Sequence, residues 1–167
     1  MDFSAVGIII LVLAVFAAGR ALFRRGRAPE GPAFRKVPVL NRSETRLHSI
    51  LARNLEPLFG GGSQLLAQVS LGEFLRSDDR GAFLSINSKR ADFVVVDRDF
   101  NPVATIEYQG KGHYGWTREA AADARRRDGI KRMALTSAGI PMIEIPADYN
   151  ERSVLASVRA ALPYGPA

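Results

Sequence analysis

Two β-branched runs, ADFVVVD from Ala91 and VATIEYQ from Val103, flank the turn-rich segment Arg98-Asp99-Phe100-Asn101-Pro102. Runs of this kind, parted by Asp, Asn and Pro, form a β-hairpin. A glycine-rich loop (GKGHYG) then leads to Thr117, a plausible helix cap, and to a helix through about Ser137 that Gly139 stops. The next run, IPMIEI, reads as a strand. Strand, long helix and strand make the crossover that parallel neighbours require. Hairpin and crossover together predict an α/β fold: a small mixed sheet with flanking helices.

Leu47, Ile50, Leu51, Leu55 and Leu58 recur at helical spacing, and Asn41 or Ser43 can cap them, so a first helix is predicted from about Ser43 to Glu56. Gly60 to Ser63 break the chain before a short strand, Leu65 to Val69. A helical turn around Leu71 to Leu75 and a polar loop through Asp78, Asp79 and Arg80 come next. A last helix from about Glu151 places Val154, Val158 and Leu162 on one face. The predicted order is helix, three strands, helix, strand, helix.

The N-terminal region is of another kind. Phe3 to Gly19 carry no charge, and arginines follow the run while Asp2 precedes it. That asymmetry disfavours a cleaved signal peptide and predicts a single transmembrane helix over 1–25, with the rest of the chain on the cytoplasmic side. Residues 26–39, with three prolines and two glycines, read as a basic linker, and 40–163 as the folded domain. The net charge of +6 belongs mostly to this region: residues 20–36 hold six basic side chains against Glu30, and removing them with Asp2 leaves +2. The high charge thus suits a membrane surface and says little about the domain's ligand. Without cysteine, disulfides, thiolate zinc sites and a cysteine nucleophile are excluded.

If the hairpin turns near Asp99 and Phe100, opposed residue numbers sum to about 199, and Asp92 faces Glu107 with Gln109 next on the same face. Like charges opposed on a sheet ask for a compensating cation such as Mg²⁺, which takes a few carboxylates plus waters and phosphate. A slip of one residue would turn one carboxylate to the other face. Glu44 extends the apolar stripe of the first helix and points toward the sheet, and Lys111 continues the alternation of Gln109. On the crossover helix, Arg125, Arg126, Arg127, Lys131 and Arg132 form a basic run suited to phosphates. His113, in the glycine loop, can touch a substrate phosphate.

These residues resemble the DUF2726 group within the PD-(D/E)xK nuclease-like superfamily, over nearly the whole folded part. The resemblance rests on Lys89-Arg90-Ala91-Asp92-Phe93, Ile106-Glu107-Tyr108-Gln109-Gly110, Arg127-Asp128-Gly129-Ile130-Lys131 and Ala138-Gly139-Ile140-Pro141. It implies a restriction-endonuclease-like core in which Asp92 and Glu107 hold Mg²⁺ or Mn²⁺, Gln109 occupies the usual lysine position and Glu44 assists. The implied activity is phosphodiester hydrolysis in a nucleic acid, with Lys111 lending the charge that Gln109 lacks.

Plainer readings stand beside this one. Asp92 can pair with Arg90 or Lys89 at a strand end, the arginine run can be a solvated helix face, and Glu144 faces either solvent or the site. A catalytically idle nucleic-acid-binding module, or a protein-interaction module of the same fold, are the alternatives to an enzyme.

Overall fold

The computed structural model describes residues 3–25, 32–110 and 118–162. The chain divides into two compact units, Met1–Val37 and Pro38–Ala167. The first holds the helix α1, Phe3–Arg25. Among the described residues no helix is long and apolar enough to cross a membrane. The expected transmembrane anchor, and with it the single-pass placement with a cytoplasmic domain, is corrected on that finding. Length supplies the physical reason: as a helix, the uncharged stretch from Phe3 to Gly19 is about 26 Å long, short of the ~30 Å hydrocarbon layer. Extending it brings in Arg20, Arg24 and Arg25.

In the second unit the elements follow as α2 (Arg42–Arg53), α3 (Leu55–Phe59), β1 (Gln64–Ser70), α4 (Leu71–Phe74), α5 (Arg80–Ile86), β2 (Arg90–Val96), β3 (Pro102–Gln109), α6 (Arg118–Ser137), β4 (Met142–Pro146) and α7 (Glu151–Ala161). The sheet order is β1-β2-β3-β4. Its first two pairings are antiparallel and β3 with β4 is parallel, the mixed arrangement expected from the hairpin and crossover.

Alternation along the strands sends side chains to two cores. Phe93, Val95, Ala104, Ile106, Ile143 and Ile145 pack with Leu47, Ile50 and Leu51 of α2 and Val154 and Val158 of α7. Val94 and Val96 face the other way, onto Leu71, Leu75 and Ile86 from the α4–α5 region and Leu135 of α6. The sheet is therefore covered on both faces.

The hairpin turn is held by the Asp97 carboxylate, whose Oδ1 accepts the N–H groups of Asp99 and Asn101, each at 2.9 Å. Those donors, Asn101 first, hold its carboxyl below the usual range. Phe100 takes a left-handed φ of 62° to close the turn. The resulting ladder pairs Phe93 with Ile106, Val94 with Thr105 and Val95 with Ala104, which is the expected sum of 199.

The polar stretch Asp78, Asp79 and Arg80, expected as a loop, leads into the helix α5. Asp79 caps it, its Oδ1 accepting the Ala82 N–H at 3.0 Å, so the polar residues there start a helix.

Candidate functional site

Pairing of β2 with β3 runs from Phe93↔Ile106 to Val95↔Ala104 and then shifts register by one residue to Val96↔Pro102. Just beyond its open end, Asp92 Oδ2 accepts the Tyr108 N–H at 2.8 Å. Backbone irregularity marks the same place on the other neighbour: β1 pairs Ala67 with Phe93 and Val69 with Ala91, and Gln68 between them, opposite Asp92, has a φ of 56°. A non-glycine residue in this region costs on the order of 1 kcal/mol, and such strain concentrates at functional sites.

Glu107 is only 3% exposed. Lys131 reaches it from α6, its Nζ 2.6 Å from Glu107 Oε2, and donates also to the Arg90 carbonyl at 2.8 Å. The other carboxylate oxygen, Glu107 Oε1, is buried without a hydrogen-bond partner, and so is Gln109 Oε1. Each such acceptor costs about 1–3 kcal/mol until something satisfies it. Burial pushes the Glu107 carboxyl up to about 7 against the pull of Lys131, with the Asp92 and Asp128 carboxylates adding to the rise.

The parallel register sets Glu144 of β4 beside Glu107. Its Oε1 accepts Gln109 Nε2 at 3.1 Å and lies 2.7 Å from Arg132 Nη2. Consecutive residues of α6, Lys131 and Arg132, thus meet carboxylates on adjacent strands.

Of the residues that sequence reasoning brings together, Glu107 and Gln109 share one side of β3, and Asp92 lies just past the paired residues, its carboxylate on the Tyr108 N–H and near enough to Glu107 to raise its carboxyl. The structure places the others differently. Glu44 sits near the start of α2, the helix that packs on the opposite face of the sheet, and closes a capping box: its Oε2 accepts the Asn41 N–H at 2.8 Å while Asn41 Oδ1 accepts the Glu44 N–H at 2.9 Å. Glu44→Ala is accordingly expected to cost about 0.5–1 kcal/mol in urea unfolding and to leave any activity unchanged. Lys131 is buried and paired with Glu107, so it is not an open phosphate contact, whereas Arg125, Arg126, Arg127 and Arg132 are exposed, the last of them paired with Glu144. Lys111 and His113 lie outside the described residues.

The contribution of Lys131 and Glu144 was not read from the sequence. A signal for Lys131 was present, since it stands one helical turn before the fully buried Leu135 and shares its face. For Glu144, which alternation alone does not place, the parallel register sets an exposed side chain beside Glu107.

The donor set suits a hard divalent cation. Asp92 and Glu107 offer carboxylate oxygens, and the two orphaned oxygens on β3 are acceptors that a cation would satisfy. Among the described residues no three His, Asp or Glu side chains form a ready cage, so waters and a phosphate would complete the shell. A groove of about 290 Å³, lined by Leu75, Ile86 and Met133 among others, includes none of these groups.

The raised Glu107 carboxyl ties stability to pH. Its folded value lies above the ordinary 4.5, so the folded state binds the extra proton between about 4.5 and 7. Its stabilising contribution is complete below that window and is lost as pH rises through it. The melting temperature is expected to fall across pH 4.5–7 more steeply in the wild type than in a Glu107→Leu/Lys131→Met variant, as scanning calorimetry would record.

Fold and site together define a mixed α/β domain with a buried acid–lysine centre at the end of a hairpin. The family of proteins of unknown function DUF2726 matches residues 36–162, and the chain belongs to it. An uncharacterised protein of Haemophilus influenzae is 40% identical over 121 residues, covering 71% of this chain and 58% of the relative. The uncharacterised protein y4bI of Sinorhizobium fredii is 41% identical over 125 residues, covering 73% of this chain and 83% of the relative. The chain thus spans somewhat over half the length of the first relative. No solved structure matches it.

Proposed function

We propose that the domain is a nucleic-acid phosphodiesterase of the PD-(D/E)xK, restriction-endonuclease-like kind, dependent on Mg²⁺ or Mn²⁺. One observation carries the reading: a deeply buried carboxylate, Glu107, stands beside Asp92 with one oxygen fixed by Lys131 and the other without a donor. A structural ion pair has no need of a second carboxylate at its shoulder. A cation site does.

In this reading Asp92 and Glu107 hold the cation, Tyr108 N–H orients Asp92, and Lys131 orients Glu107. When bound, the cation supplies Lewis-acid polarisation of the phosphate and a more acidic water. The exposed Arg125, Arg126 and Arg127 draw the polyanion toward the domain, a pull that weakens as salt rises.

The test is to incubate the full chain with single- and double-stranded DNA and RNA, with Mg²⁺ or Mn²⁺, over a range of salt. Cleavage that chelation stops is expected. Salt-dependent binding with no cleavage under any condition would replace the enzyme by an idle binding module.

A further inference from the structure

We propose that Gln109 is a third oxygen ligand of the cation, and that Glu144 and Arg132 hold its amide oxygen-first toward the site. The inference rests on the cation-site reading above and adds a ligand and its support to it.

The amide has two ends with opposite hydrogen-bonding character. Its Nε2 is committed to Glu144 Oε1 at 3.1 Å, and the Arg132 guanidinium, 2.7 Å from the same oxygen, fixes that carboxylate in turn. Turning the amide over would set its oxygen against a carboxylate oxygen, so the orientation is decided by charge. The oxygen at the other end, Oε1, is buried and has no donor. Two residues earlier on the same face of β3, Glu107 presents an oxygen in the same condition. Two buried acceptors side by side on one strand attract a positive centre, and neutral amide oxygens are ordinary ligands of hard divalent cations. One Nε2 hydrogen of Gln109 is thus held by Glu144, and the amide oxygen is the group left without a partner. The positive charge comes instead from Lys131, on a different element.

Mn²⁺ titration calorimetry of the full chain tests this, with wild type, Asp92→Ala, Gln109→Met, Gln109→Lys and Glu144→Ala compared. Gln109→Met is expected to weaken Mn²⁺ about ten-fold by removing a ligand, and Glu144→Ala on the order of 10-fold by freeing the amide to turn. Gln109→Lys is expected to weaken it about 100-fold or more, because an ammonium replaces a ligand oxygen. Affinity within two-fold of wild type in Gln109→Met would overturn the proposal. So would a Gln109→Lys protein that binds Mn²⁺ normally and cleaves faster, which would make position 109 a donor position. If Asp92→Ala binds Mn²⁺ like the wild type, or neither binds, the cation reading itself fails and takes the inference with it. That result is separate from a failure confined to position 109.

Discussion

Lys131→Met destabilises the domain by about 3–5 kcal/mol at pH 8, the expected cost of leaving a buried carboxylate without its counter-ion. Glu107 is 3% exposed, and Lys131 Nζ at 2.6 Å is the cation that meets it. The Arg90 carbonyl loses its donor in the same substitution. Urea unfolding reads the loss directly. The penalty is expected to shrink toward pH 5, where Glu107 takes up a proton and no longer needs the partner. Pairing the change with Glu107→Leu should recover most of the lost stability at pH 8, because an apolar pair of similar volume pays no desolvation of charge. A single variant as stable as the wild type at pH 8 would mean that the ion pair does not hold Glu107 ionised.

That recovery has a counterpart in activity. The stable Glu107→Leu/Lys131→Met protein should be inert, so stability and catalysis part company at this pair. A charged pair retained where an apolar one would serve the fold as well is what a working site requires.

Asp92→Ala is expected to reduce cleavage at least about a thousand-fold, roughly 4 kcal/mol of transition-state stabilisation. Its effect on folding should be small by comparison. Asp92 is half-buried, and the bond described for it is the part-buried one from Tyr108 N–H, worth about 1–3 kcal/mol if it is lost. Measuring single-turnover rates alongside urea midpoints separates the two. A rate that falls only as far as the folded fraction falls would mark Asp92 as a structural strand-end residue.

Much of this arrangement was legible in the residue order. The β-branched runs and the Asp-rich turn determine the hairpin, and the turn position determines the register from Phe93↔Ile106 to Val95↔Ala104, just past which Asp92 lies. The crossover length determines the parallel edge. What could not be read was three-dimensional in origin. Glu44 looks like part of an inward stripe because it falls at helical spacing from Leu47 and Leu51, yet it is the third residue of its helix, where its carboxylate is drawn to the free N–H of Asn41. Lys131 and Arg132 look like the end of a basic surface run. Only the docking of α6 on the β2–β4 part of the sheet shows that a row of carboxylates lies beneath them. The uncharged N-terminal run suggests a span by its apolarity and flanking arginines, yet among the described residues no helix is long and apolar enough to cross a membrane.

The proposed cation site rests on two carboxylates, and one comparison reaches it before any substrate is known: the heat of Mn²⁺ binding to the full chain, wild type against Asp92→Ala. Saturable heat from the wild type that disappears in the variant is the expected result. Equal heats from both proteins, or none from the wild type even with a nucleic-acid strand present, would contradict it.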